Sequence, residues 1–264
     1  MRESSLLVEK THEEVVKAIR PGITTGELDS LAETFIRDHN AQPGFKGYQG
    51  FPYTLCMSLN EQVVHGFPGD RVIKEDDLIS IDCGVVKNGY YGDSAYTFKV
   101  GEVSEEVSLL LERTKASLYK GVEKAVAGNR VGDIGNAVQS FIEPFGYGIV
   151  RELVGHGIGT TMHEKPEIPN YGRQGTGPKL PDGLVICVEP MINMGTRHVM
   201  QEDDGWTIKT SDNGYSAHFE VELAVRAGEP DILTSYNEIE EVLKNKGEKP
   251  ESKQKDKEKE LEDK

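Results

Sequence analysis

The chain of 264 residues has little cysteine, no excess of positive charge and no long apolar run, and each shortage excludes a class of protein. Its three cysteines, Cys56, Cys83 and Cys187, are odd in number, widely spaced and free of any CxxC pairing. That pattern supports neither a disulfide framework nor a zinc ribbon and points to a reducing cytoplasm. With 30 Lys and Arg against 45 Asp and Glu, the formal net charge is -15, the opposite of the basic footprint of a general nucleic-acid binder. The opening residues, Met1-Arg2-Glu3-Ser4-Ser5, lead into a charged stretch with no apolar core of signal-peptide length. No later segment approaches a membrane span, so neither export nor a membrane is expected. Apolar side chains are almost absent from Asn245 to Lys264, where seven Lys balance seven acids. This stretch reads as a charged tail (245–264), disordered or transiently helical, behind a folded body (1–244). The negative charge therefore belongs to the body, where a solubilising acidic surface accounts for most of it and carboxylates clustered to bind divalent cations, counted without their metals, would add to it.

What is present alternates in blocks. Apolar positions at helical spacing run from Val8 to Ile19 and stop at Pro21-Gly22, and Thr24-Thr25-Gly26-Glu27 resembles a capping box opening a helix through Ile36. A longer amphipathic helix is predicted from Ser104 to Ala127, and another, capped by Asp133, to about Phe145. Apolar, β-branched runs at Tyr53–Leu59, Leu78–Val86, Tyr90–Val100, Leu184–Glu189, Trp206–Lys209 and His218–Val225 read as strands. The order helix, helix, strands occurs twice. It predicts an α+β architecture of two similar halves, with helices covering one face of curved antiparallel sheets.

The most informative segment is Ile81-Asp82-Cys83-Gly84-Val85-Val86-Lys87-Asn88-Gly89-Tyr90-Tyr91-Gly92-Asp93. Asn88-Gly89 between apolar strands signals a two-residue type I′ hairpin, which sets Lys87 against Tyr90 and Gly84 against Asp93. Side chains alternate along a strand, so Asp82 and Gly84 share a face and Asp82 becomes the diagonal neighbour of Asp93. Gly84 is expected to leave room for whatever sits between the two acids. Like charges this close raise one another's pKa unless a cation neutralises them; the alternative is a pair of ordinary strand aspartates.

Further candidate ligands sit in similar settings. His156 lies in the glycine-rich run Gly155-His156-Gly157-Ile158-Gly159, Glu189 ends an apolar strand, and Glu220 lies inside another. Acids at the inner ends of buried strands require a reason. One histidine and four carboxylates (Asp82, Asp93, Glu189, Glu220) form a hard, oxygen-rich set suited to two divalent first-row metals bridged by carboxylates and a water. Glu222 is expected on the side opposite Glu220, as a solvent-exposed or structurally paired acid.

As an ordered set, Asn60-Glu61-Gln62-Val63-Val64-His65-Gly66, Ile81-Asp82-Cys83-Gly84, Gly92-Asp93-Ser94-Ala95, Gly155-His156-Gly157-Ile158-Gly159 with His163, Val188-Glu189-Pro190-Met191, Asp204-Gly205-Trp206-Thr207 and Ser216-Ala217-His218-Phe219-Glu220 resemble the motifs of the bacterial type I methionine aminopeptidases, from about Val8 to Leu233. The resemblance implies the pita-bread fold, with Asp82, Asp93, His156, Glu189 and Glu220 binding two divalent ions (Fe, Mn, Co or Zn). It implies that His65 and His163 flank the substrate, and that Tyr48, Phe51, Cys56, Met162 and Trp206 form a methionine pocket. Phe45 stands where the family often has a cysteine, and Met162 where it often has an aromatic residue. The implied activity is removal of the initiator methionine from nascent polypeptide N-termini, with a small second residue preferred. The expected partners are those N-termini and, as a candidate, the ribosome surface; a cytoplasmic monomer is expected.

The mechanism expected on this resemblance is hydrolysis by a metal-bridging hydroxide, with Glu189 shuttling the proton. His163 is expected to stabilise the oxyanion, and His65 to contact the scissile amide nitrogen or help protonate the leaving amine. One rival is a proline-specific peptidase of the same fold, which usually carries an additional amino-terminal domain. A second rival is a catalytically dead binding scaffold, which would have lost ligands.

Overall fold

A computed structural model describes residues 1–247. Its helices are α1 (Arg2–Ala18), α2 (Thr25–Asp38), α3 (Glu105–Val122), α4 (Val131–Ile142) and α5 (Asn237–Gly247). The main sheet comprises β1 (Gln42–Pro43), β2 (Leu55–Leu59), β3 (Leu78–Lys87), β4 (Tyr90–Lys99), β5 (Gly155–Gly157), β6 (Glu164–Ile168), β7 (Val185–Val188), β8 (Glu220–Ala224) and β9 (Asp231–Ile232). Its order is β1-β3-β4-β8-β7-β5-β6, with β2 also on β3 and β9 on β8, and the pairs are antiparallel. Two three-stranded ribbons flank it, one from Gly148–Ile149, Met191–Asn193 and Ser216–His218, the other from Gln62–Val64, Val199–Gln201 and Ile208–Thr210.

Helices pack in pairs. α1 lies on α2 and on the β3-β4 hairpin; α3 lies on α4, with contacts to β7 and β6 respectively. Alternation along the strands explains the layering, because Ile79, Ile81, Cys83 and Val85 of β3 join Leu7, Val8, Val15 and Val16 of α1 in one buried cluster. Ile186, Val188, Val221 and Leu223 extend that cluster into the second half. The intervening residues face away from the helices, where the site lies. The fold is the expected α+β pita-bread arrangement.

The hairpin forms in the predicted register, Lys87 opposite Tyr90 and Gly84 opposite Asp93. Asn88 and Gly89 both have positive φ, 53° and 79°, as a type I′ turn requires. The Thr24 capping box is also present: Glu27 N–H donates to Thr24 Oγ1 at 3.1 Å, and Thr24 N–H to Glu27 Oε2 at 2.8 Å.

Several boundaries differ. α1 begins at Arg2 instead of Val8, since its first turn buries Ser4 and Ser5 rather than apolar residues. The Ser4 hydroxyl donates to the Tyr90 carbonyl and the Ser5 hydroxyl to the Glu222 carboxylate, so the turn carries no apolar signal. α3 stops at Val122, short of Ala127, and Trp206 precedes its strand rather than opening it. α4 starts at Val131, and Asp133 is its third residue, not its cap; the Asp133 carboxylate accepts from Arg130 N–H at 2.7 Å. α5 continues to Gly247 through the expected body–tail boundary at 244, and Lys246 Nζ donates to the Val16 and Ile19 carbonyls at the end of α1. The remainder of the predicted tail, 248–264, lies outside the described residues. Among the described residues, no helix is long and apolar enough to cross a membrane.

Candidate metal centre and substrate cavity

Five neighbouring strands each bring one side chain to a common point. Asp82 comes from β3, Asp93 from β4, Glu220 opens β8, Glu189 follows the last residue of β7, and His156 is the centre of β5. The register makes them converge: Gly84 opposite Asp93 makes Asp82 its diagonal neighbour, Glu220 lies opposite Ala95, and Val221 opposite Val188 sets Glu189 beside Glu220.

His156 Nδ1 lies 2.9 Å from the Gly157 carbonyl, which can only accept, so Nδ1 carries the proton. Its Nε2 lone pair is thereby left free, 3.5 Å from Glu189 Oε1 and 3.8 Å from Asp93 Oδ2. This is how a metal-ligating histidine is held. Asp82 Oδ1, Asp93 Oδ1 and Glu220 Oε1 are buried without a hydrogen-bond partner. Unpaired buried carboxylate oxygens are costly, and a cation satisfies all three together.

The electrostatics agree. Burial pushes Asp82 up to about 7. Asp93 is raised well above the usual range by burial and then by Glu220 and Asp82; Glu220 by burial, then Glu189 and Asp82; Glu189 by burial, then Asp82 and Asp93. Burial, then His163, pushes His156 down to about 4. Every group is driven toward its neutral form; a bound cation inverts that preference for the four carboxyls and suits the neutral imidazole of His156. The donor set, one imidazole nitrogen and four carboxylates, fits hard divalent metals.

The five groups form the floor of a cavity of about 270 Å³. Tyr48, Phe51, Cys56 and Trp206 line its wall as expected, joined by Phe45. Trp206 is held edge-on to Phe51, ring centres 5.2 Å apart, and the Asp204 carboxylate accepts from the backbone N–H of Trp206 and of Thr207. Met162 is fully buried, packed with Phe45, Phe51 and Cys56, and is not among the residues lining the cavity.

The expectation for Gly84 is corrected. A Cβ there would meet Phe45 Cε1 at 2.6 Å and Met162 Cε at 2.8 Å, so the space above it seats the wall and does not open onto the acids. Gly84→Ala is therefore expected to displace Phe45 into the cavity. It should raise KM for methionyl peptides severalfold and cost about 1–3 kcal/mol of stability from overpacking, read by peptide kinetics and thermal melts. An unchanged KM would argue against Phe45 as a wall.

His65 and His163 both line the cavity. His65 adopts φ 60°, a conformation that non-glycine residues rarely take. Burial, then His163, lowers it to about 4, and burial lowers His163. Tyr48 Oη and His163 Nδ1 are 2.8 Å apart.

Glu222 departs from expectation. Two residues from Glu220 on β8 and opposite Cys187, it shares the alternation of Glu220 rather than opposing it. It is fully buried, not solvent-exposed, and structurally paired: Asp93 N–H and Ser5 Oγ donate to its Oε2 at 3.1 and 3.2 Å.

Sequence reasoning overlooked two residues. Asn170 Nδ2 donates to the Glu189 carbonyl at 3.0 Å, a contact that no local pattern signals. His218 lines the cavity, and its place two residues before Glu220 was the available clue.

Comparison with known proteins agrees with this geometry. The profile of metallopeptidase family M24 matches residues 1–227. The chain is 52% identical to the methionine aminopeptidase of Clostridium acetobutylicum over 235 residues, covering 89% of this chain and 94% of that protein. It is 49% identical to methionine aminopeptidase 1 of Bacillus subtilis over 234 residues, with the same coverage of 89% and 94%. The crystal structure of the Rickettsia prowazekii methionine aminopeptidase superimposes with a TM-score of 0.87 at 40% identity, covering 89% of this chain and 95% of that one. The X-Pro aminopeptidase of Thermotoga maritima, at 23% identity and a TM-score of 0.70, shares the fold, and this chain covers only 59% of it. The chain belongs to the methionine aminopeptidases of metallopeptidase family M24.

Proposed function

We propose that the protein removes the amino-terminal methionine from nascent polypeptides, preferring a small second residue, with Asp82, Asp93, His156, Glu189 and Glu220 holding two divalent cations. The observation that carries this reading is the floor of the cavity, where five donors from five adjacent strands surround unpaired buried oxygens. When bound, the cations supply Lewis-acid polarisation of the peptide carbonyl and an activated water near neutral pH.

The chain's own residues do the rest. Glu189 takes the proton from the attacking water and delivers it toward the leaving amine. His163, oriented by Tyr48, donates to the oxygen that gains charge, and His65 contacts the scissile amide nitrogen. Phe45, Tyr48, Phe51, Cys56 and Trp206 take the methionine side chain, and the small closed cavity excludes internal peptide segments. Three free, buried cysteines accord with a reducing cytoplasm. The protein acts as a monomer, and its large partner is the ribosome surface near emerging N-termini.

Anaerobic purification with metal analysis, beside cleavage assays on Met-Ala-Ser and an X-Pro peptide, tests the proposal. Expected are metal bound by the protein and release of methionine only. Preferential X-Pro cleavage would replace the substrate assignment, and failure to bind Mn, Fe or Co and to cleave any Met-peptide would make the fold a scaffold.

A further inference from the structure

His218 belongs to none of the motif roles above, yet it is 2% exposed and lines the catalytic cavity. It ends the strand Ser216–His218, opposite Met191, immediately before the chain passes through Phe219 into β8. One hydroxyl pins its backbone on both sides: His218 N–H donates to Thr97 Oγ1 at 2.9 Å, and Thr97 Oγ1 donates to the His218 carbonyl at 2.7 Å. Ser80 Oγ lies 2.8 Å from the same Thr97 oxygen and completes the clamp. With the backbone held and the side chain buried, the ring has little room to turn toward another partner.

Its Nε2 is buried and has no hydrogen-bond partner. The nearest acceptors are Glu189 Oε2 at 3.8 Å and Glu220 Oε2 at 4.0 Å. The two oxygens of Glu189 therefore face two imidazoles: Oε1 lies 3.5 Å from His156 Nε2, and Oε2 faces His218. Oε1 is thus the oxygen nearer His156, one of the proposed ligands, and Oε2 the one nearer His218. A carboxylate with one oxygen unheld can rotate, and a proton-transferring group loses efficiency when its geometry is loose.

We propose that His218 is a positioning residue whose Nε2–H donates to Glu189 Oε2 and fixes the plane of that carboxylate. A closure of about 1 Å brings the pair to ordinary hydrogen-bond length. The inference rests on the proposed role of Glu189, and it assigns His218 neither metal ligation nor contact with substrate.

The test uses His218→Gln, which keeps an N–H donor, and His218→Leu, which removes it, each alone and combined with Glu189→Gln. For cleavage of Met-Ala-Ser, His218→Leu is expected to lower kcat about 30-fold with KM within about threefold, and His218→Gln to recover to within about fivefold of the parent. In the Glu189→Gln background, His218→Leu is expected to cost nothing further, because the two act as one unit. Wild-type kcat in His218→Leu, a multiplicative loss in the double variant, or His218→Gln as impaired as His218→Leu would overturn the proposal. A separate readout needs no substrate. In Zn(II)-loaded, 15N-histidine-labelled protein, a slowly exchanging imidazole N–H is expected that vanishes in His218→Gln and exchanges rapidly in Glu189→Ala. Absence of that signal sinks the positioning role, whereas intact signal in a protein that cleaves no Met-peptide sinks the assigned reaction instead.

Discussion

Stripped of divalent metal, the protein is expected to lose stability as pH rises from about 7 to 8.5, and metal-loaded protein is expected not to. The sign follows from linkage. Asp82 is raised from an ordinary aspartate value to about 7, and Asp93, Glu189 and Glu220 are raised well above theirs. A carboxyl whose pKa is higher in the folded state binds more protons there, so its contribution is complete at low pH and is lost as pH climbs through the folded value. The buried histidines work the other way: His65 and His156 are lowered to about 4 and His218 to about 3, so they favour folding above the unfolded histidine value near 6.5 and are spent as a source of slope beyond it. Above about pH 7 the carboxyls act, and the buried Cys56, Cys83 and Cys187, pushed up by burial, add to the slope with the same sign toward the top of the window.

Each carboxyl still protonated in the fold removes about 1.4 kcal/mol per pH unit, so a single one costs about 2 kcal/mol across this window. For a domain of this size that lowers Tm by roughly 4–8 °C. Divalent metal requires the same groups ionised, so its stabilisation grows with pH and cancels or reverses the trend. Thermal melts in EDTA and in Mn(II) or Co(II) at pH 7.0 and 8.5 measure both arms. A metal-free Tm that rises with pH across the window contradicts the charge-shedding site.

Replacing Glu189 by Gln is expected to lower kcat by about 10²–10⁴, the usual range for removing a general acid–base group. The amide keeps a carbonyl oxygen for a cation and nearly the same shape, so metal binding and the Asn170 contact to the Glu189 carbonyl should persist. The loss should appear in kcat more than in KM, since the proton moves only during reaction. Metal titration alongside Met-Ala-Ser kinetics separates the two effects. Full turnover with metal retained would falsify the shuttle.

The hairpin carrying Asp82 and Asp93 was legible because its information is local. Asn88-Gly89 fixes the turn, the turn fixes the register, and the register fixes which side chains share a face. The same reasoning extended to Glu220 and Glu222 required correct alternation, and Glu222 shows the consequence of misplacing it. The histidine and the remaining acids were legible as candidate ligands from their residue types and settings, but no local rule joins β5, β7 and β8 to the hairpin, so only the resemblance to a family supported their convergence. Buried serines hide the first turn of α1, and the last three residues of α5, 245–247, carry the tail's polar composition although the helix packs on α1.

Residue order alone was enough to specify the turn, the alternating faces, the helix cap and the chemical character of the donors, since all of these depend on neighbours a few positions apart. Three-dimensional packing decided which strands became adjacent, that Gly84 seats Phe45 and Met162, and that His218 faces Glu189. Those outcomes depend on contacts between segments far apart in the chain, as much as 230 residues, where burial and hydrogen-bond satisfaction are settled only when the whole core closes.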